Sequence, residues 1–153
     1  MSELIHSDHV YQSSWRQPED IDRYLRERIE GNSLNVCVGE SPLGDITLDI
    51  DESHNPDVIA DMNNLPFPDS SFETVIFDPP WKMGYFKRQT PFFECVRVTE
   101  PNGLILANMR WVAESENTEI EETVVRADDE WANISVIVSH RKQSGQTGLG
   151  EYK

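Results

Sequence analysis

Apolar positions along this chain fall into short runs with two different periods. Residues 1–17 are polar, with Tyr11 and Trp15 as isolated aromatics, and carry no clear period, so they read as irregular. Pro18-Glu19-Asp20 then opens a helix, because proline is tolerated in a first turn and acids there suit the helix dipole. Ile21, Tyr24, Leu25 and Ile29 form one stripe at 3.6-residue spacing, and Gly31 is a natural stop. Three β-like runs follow closely: 34–38, 46–50 and 57–61. A turn-rich loop, Leu65-Pro66-Phe67-Pro68-Asp69-Ser70, leads into 72–77, a buried strand that delivers Asp78-Pro79-Pro80-Trp81. A helix is expected from about Pro91 to Val98 with Phe92, Phe93, Cys95 and Val96 inward, then a turn at Pro101-Asn102-Gly103 and a strand from Leu104 to Asn108. The acidic segment from about Ser115 to Asp129 reads as a solvated helix with Ile120, Val124 and Val125 as its thin apolar face. Trp131 to Val138 alternates as a last strand, and the Gly-rich stretch 143–150 is expected to be mobile.

A length of 153 residues suits one domain, and a chain of that size buries roughly 70% of its unfolded surface. The expected organisation is a single domain over 1–142, comprising an N-terminal extension and helix (1–33), a first half (34–81) and a second half (82–142), followed by a tail (143–153). Nothing in the sequence reads as a membrane span or signal peptide, so a cytoplasmic location is expected. Cys37 and Cys95 fall in a predicted strand and a predicted helix, which suits buried thiols. The four histidines are scattered without metal-ligand spacing, and no metal is expected.

The formal charge of −15 changes the picture, because an acidic surface repels phosphate backbones. The acids are spread along the chain, and nine Arg stand against four Lys. That pattern suits a high-salt cytoplasm, where the Debye length shrinks to about 3 Å at 1 M. The charge is also uneven. From Pro79 to Arg97, Lys82, Lys87, Arg88 and Arg97 face Glu94 alone, whereas 111–130 carry eight acids and one Arg. An anionic substrate is best received beside Asp78.

The order of four features is informative: a strand ending in a glycine turn, a strand ending in an acid, Ala60-Asp61 before Leu65-Pro66-Phe67-Pro68-Asp69-Ser70-Ser71-Phe72, and a strand ending in Asp78-Pro79-Pro80-Trp81. This order resembles class I S-adenosylmethionine-dependent methyltransferases, over roughly residues 34–112 and most strongly over 60–81. The stretch from Phe93 to Ile105 looks like that family's helix, turn and fifth strand. The resemblance implies an α/β, Rossmann-like fold with a mainly parallel sheet. It also implies S-adenosyl-L-methionine as cofactor, with Gly39 and Gly44 lining its amino-acid end, Asp49 or Asp51 on the ribose hydroxyls, and Asp61 with the backbone at Met62 on the adenine. Asp78, Pro79, Pro80 and Trp81 take the place of the catalytic motif of amino methyltransferases. One departure is physical. Val38 and Ile46 are separated by seven residues and Ile50 and Asp57 by six, where a parallel return usually takes a dozen or more. The crossover helices after strands one and two are therefore expected to be missing.

The chemistry implied is methyl transfer to an exocyclic amine, adenine N6 or cytosine N4 in nucleic acid. Such a nitrogen is a poor nucleophile because its lone pair is delocalised into the ring. A carboxylate at Asp78 and the carbonyl after it each accept one N–H and aim the lone pair outward, with the prolines fixing φ. Trp81 offers a stacking face. Lys82, Lys87 and Arg88 are candidates for flanking phosphates, Tyr85 and Phe86 for wedging or stacking, and Arg110 for reaching the site from the fifth strand. The plain alternatives are a stiff strand exit at Asp78, turn residues at Gly39, Gly44, Asp49, Asp51 and Asp61, and a solvated basic face. At the level of function, a small-molecule methyltransferase and a cofactor-less binding or structural module compete with the nucleic-acid enzyme. Target choice by so short a chain suggests a homo-oligomer or a partner chain.

Overall fold

The computed structural model of the chain describes residues 2–7, 19–80, 87, 89–128 and 133–144. Within them lie eight strands, β1 (Ser2–Ser7), β2 (Ser33–Val36), β3 (Ile46–Asp49), β4 (Val58–Ile59), β5 (Phe72–Phe77), β6 (Thr99–Met109), β7 (Thr118–Asp128) and β8 (Asn133–Lys142), and two α-helices, α1 (Glu19–Arg26) and α2 (Gln89–Val98). One sheet holds all the strands in the order β1-β7-β8-β6-β5-β2-β3-β4. β8 runs antiparallel to β6 and β7, and the remaining pairs are parallel.

Alternation along the central strands divides the core in two. On one face Ile21, Tyr24 and Leu25 of α1 pack on Ile76, Leu104, Leu106, Val124 and Ile137. On the other, Phe92, Cys95, Val96 and Val98 of α2 pack on Leu34, Val36, Leu48, Val75, Phe77, Ile105 and Ala107. Side chains at i and i+1 of a strand point to opposite faces, so Val75 and Phe77 serve α2 while Ile76 between them serves α1. Phe77, Phe92, Ile21 and Leu25 are fully buried, each contributing about 1.5–3 kcal/mol of apolar transfer.

Among the described residues neither crossover from β2 to β3 nor from β3 to β4 contains an α-helix. Residues 37–45 form the first as a loop, and a 3-10 turn at Glu52–His54 occupies the second. The first loop takes over the packing of the absent helix. Leu43, 3% exposed, enters the α1-side cluster. Asn35 on β2 donates its amide to the Leu43 carbonyl (3.1 Å) and to Ser41 Oγ (3.3 Å), and the Ser33 and Asp45 backbones close its return.

Two expectations are overturned. Residues 2–7 are not irregular: they form β1, which pairs with β7 from Ser2↔Thr123 to Ser7↔Asp128. The acidic segment is strand β7, not a helix. Its Thr and Val content favours β structure, and a register shift between Ile120 and Glu122 interrupts the alternation that would have revealed it. Glu121 and Glu122 then pair with Arg141 and Arg28. Smaller corrections follow. Pro101-Asn102-Gly103 lies within β6, with Asn102 at φ 65°, and Phe93 is half exposed, on the outer side of α2. Trp131 and the stretch 145–153 lie outside the described residues. No described helix is long and apolar enough to cross a membrane.

Candidate functional site

The C-terminal ends of β2, β3, β4 and β5 stop at one level. Val38 N–H donates to the Leu48 carbonyl (3.1 Å), Ala60 N–H to the Asp49 carbonyl (3.1 Å), and Asp78 N–H to the Val36 carbonyl (3.4 Å). These bonds carry the parallel ladders past the strand ends and bring 37–39, Asp49, 60–62 and Asp78 together. Sequence order reverses between β2 and β5, the position at which open α/β sheets hold ligands.

Asp49 organises this corner. The residue is 9% exposed, and its carboxylate accepts from Gly39 N–H (2.9 Å), from Asp51 N–H (2.9 Å) and from His54 Nδ1 (3.1 Å). Gly39 is buried at φ 53° and Gly44 lies at φ 98°, where an added Cβ would stand 3.0 Å from that of Asn35. The structure separates the two acids that the sequence left open. Asp51 is exposed and caps the 3-10 turn, accepting from Ser53 N–H (2.9 Å), and its bonds to Ser53 hold its carboxyl below the usual range. Asp61 is exposed and accepts from the backbone and side-chain amides of Asn63, both at 2.9 Å. Met62 packs against the α2-side core, Pro79 is buried and Pro80 half-buried. Lys87 is exposed. Trp81, Lys82, Tyr85, Phe86 and Arg88 lie outside the described residues.

Cys37 lies just past β2 and not within a strand as expected. It holds φ 62°, a left-handed conformation that is uncommon for a side chain with a Cβ and costs of order 1–3 kcal/mol. Its thiol is 3.4 Å from Met62 Sδ. Burial first, then the carboxylates of Asp49, Asp78 and Asp61, hold the thiol well above its ordinary pKa, so it stays protonated. The same three carboxylates therefore lie near the Cys37 thiol. A non-glycine residue two places before Gly39, directly after an apolar strand, was the available signal.

The sequence also placed Arg97 in the basic stretch, and the structure removes it. Arg97 binds Glu94 (2.9 Å), Asp69 (2.9 Å) and the carbonyls of Phe67 (2.8 Å) and Leu65 (3.0 Å), while Glu94 accepts from Leu65 N–H (2.8 Å). One i,i+3 pair on α2 thus clamps the 65–69 loop, and the Arg97 hydrogen bond holds the Glu94 carboxyl below its usual range. The pair is visible in the sequence, but its partners in the loop are not.

Strand order and strand-end position define a Rossmann-like α/β protein with its topological switch point between β2 and β5. No family model matches the chain, and no curated protein matches it by sequence. Solved structures share its fold. The [4+2]-cyclase SpnF aligns with a TM-score of 0.65 and 14% identity, over 91% of this chain and 86% of that one. An S-adenosylmethionine-dependent methyltransferase from Methanosarcina mazei gives 0.61 and 11%, over 78% and 97%. The N-methyltransferase NodS from Bradyrhizobium japonicum, in complex with S-adenosyl-L-homocysteine, gives 0.59 and 10%, over 73% and 78%. The chain has the Rossmann-like fold of the class I methyltransferases, with the helices after its first two central strands replaced by loops.

Proposed function

We propose that the chain is an S-adenosylmethionine-dependent methyltransferase acting on an exocyclic amino group, adenine N6 or cytosine N4 in nucleic acid. The observation that carries this reading is the convergence at the strand ends: Asp49 holding the Gly39 amide on one side, and Asp78 tied to Val36 on the other. The donor set fits the cofactor. Left-handed Gly39 lets the backbone approach a ligand closely, and Asp49 ends the strand next to it, whereas Gly44 packs on Asn35 at the other end of β2. Asp49 and Asp61 would hold the ribose and adenine ends, with the backbone at Met62. When bound, S-adenosylmethionine supplies a methyl group activated by its sulfonium and leaves as the neutral thioether.

The chain's own contribution is positioning and charge. Asp78 accepts one amine hydrogen, pulls the lone pair out of conjugation and takes the proton that the amine releases. A second acceptor holds the other hydrogen, a role the family resemblance gives to the Pro79 carbonyl. Trp81 offers a stacking face worth about 1–3 kcal/mol per base. Lys82, Lys87 and Arg88 meet flanking phosphates, Tyr85 stacks, and a second copy or a partner chain completes the target surface.

A second reading, a small-molecule N-methyltransferase, is favoured by two observations. Arg97 is neutralised by Glu94 and Asp69, which weakens the basic stretch, and NodS, an N-methyltransferase, shares the fold. Calorimetry in molar KCl tests the common core: S-adenosylmethionine binds the wild type, and Asp49→Ala weakens it at least tenfold. Absence of binding to the cofactor or its demethylated product refutes both enzyme readings. Labelled methyl transfer to DNA, RNA and small-molecule extracts separates them, and Asp78→Ala loses transfer with binding intact.

A further inference from the structure

Of the buried side-chain polar atoms without partners among the described residues, two lie near the site and others, Ser139 Oγ on the same face included, lie away from it. Asn108 is 3% exposed and its Oδ1 has no hydrogen-bond partner; Ser135 is 1% exposed and its Oγ has none. Leu104 and Leu106 on β6, and Ile137 on β8, belong to the α1-side cluster, so alternation puts Asn108 and Ser135 on that same face. Register then sets them beside Asp78. Phe77 pairs with Ala107 and Asn108 with Ile137, so the next step along β5 and β6 brings Asp78 level with Asn108. Ser135 stands two residues beyond Ile137, the diagonal neighbour of Asn108. Ile76 packs in the α1-side cluster, and the same alternation assigns Asp78 to its face.

A buried polar group without a partner costs about 1–3 kcal/mol, so two in one row beside a candidate amine site call for a ligand that meets them. The chemistry of the row is specific. A carboxylate and an amide oxygen are acceptors, matching the two hydrogens of an amino group, and a hydroxyl can donate to a ring nitrogen next to that amine. An aliphatic amine has no such ring nitrogen. Amide side chains are the usual readers of the amino edge of adenine.

We propose that Asn108 is a substrate-binding residue of this site, with Oδ1 sharing the second amine hydrogen with the Pro79 carbonyl, and that Ser135 donates to the neighbouring ring nitrogen. The ligand is then a planar nitrogen heterocycle bearing an exocyclic amine, as in adenine and cytosine. The assignment rests on the amine-activating reading of Asp78, and its test is built to fail separately from that reading.

Adenosine and cytidine are titrated into wild type and into Asn108→Leu and Ser135→Ala, with S-adenosyl-L-homocysteine at saturation so that the cofactor site is filled. Purine riboside, which lacks the amine, is the control. Asn108→Leu weakens nucleoside binding at least tenfold and Ser135→Ala three- to tenfold, purine riboside binds at least tenfold more weakly than adenosine, and cofactor affinity is unchanged. Asn108→Leu also raises Tm, because an apolar isostere removes an unmet acceptor; this separates a binding role from structural damage. If the wild type binds the cofactor but neither nucleoside, or if Asn108→Leu binds both as the wild type does, the proposal is overturned and the methyltransferase reading stands. If nucleoside binding depends on Asn108 while no cofactor binds, that reading falls and the Asn108 assignment remains.

Discussion

Lowering the pH should destabilise the fold through His140. This imidazole is fully buried on β8, between Ile105 and Ile120 in register, with the Phe92 ring 4.9 Å away, and neither ring nitrogen has a hydrogen-bond partner among the described residues. Burial lowers its pKa from 6.5 to about 4. The folded-state value lies below the unfolded one, so the unfolded chain takes up a proton first as pH falls. The protonation penalty of His140 is therefore absent above pH 6.5, grows between 6.5 and 4, and levels off below 4. At 1.36 kcal/mol per pKa unit the full effect is about 3 kcal/mol, a large share of a small domain's stability. Urea unfolding of wild type and His140→Leu in molar KCl, from pH 4 to 8, isolates this residue, because the carboxylate contributions are common to both. The difference in unfolding free energy should be constant above pH 7, where only the unpartnered ring nitrogens contribute, and should grow in favour of His140→Leu by a further amount of about 3 kcal/mol by pH 4. A difference that stays flat across this range would refute the reasoning.

Three further outcomes are expected. Leu43→Ala should cost about 2–4 kcal/mol in urea unfolding, since Leu43 is the buried plug of the loop that replaces a helix. Arg97→Met should lower stability by about 1–3 kcal/mol and expose the 65–69 loop to limited proteolysis, because four acceptors on that loop and α2 lose a charged donor. Asp49→Asn and Asp51→Asn should part company in cofactor titration: the first weakens S-adenosylmethionine binding, and the second leaves it within twofold.

Legibility in the sequence followed how local each signal was. The strand at 72–77 was read with the bounds it has in the structure, because an apolar run between turn residues needs no distant partner to be recognised. The stripe of α1 and the inward set Phe92, Cys95 and Val96 of α2 were equally visible, and the helix-free crossovers followed from seven and six residues of available chain. What could not be read depended on distant pairing. β1 gains its strand character from β7, and β7 conceals its own behind four acids and a register shift. At the site, the sequence marked Asp49 and Asp51 equally, since the choice between them is made by where Gly39 and Ser53 present their amides.

The pairing of β1 with β7 has a consequence for how the molecule assembles. Closing β2 onto β3 links residues about a dozen apart, a loop entropy of about 2 kcal/mol. Joining Ser2 to Thr123 links residues 121 positions apart and costs about 4 kcal/mol on the same scale. Contacts between distant residues form late, so the β2–β3–β4 corner, with its candidate binding loops, assembles early and β1 docks last. Until then β7 is an outer strand whose amides and carbonyls are open to any passing chain. Slow docking of six residues thus sets the interval during which a nascent copy is exposed to aggregation, and native-state hydrogen exchange should find β1 the first strand to open.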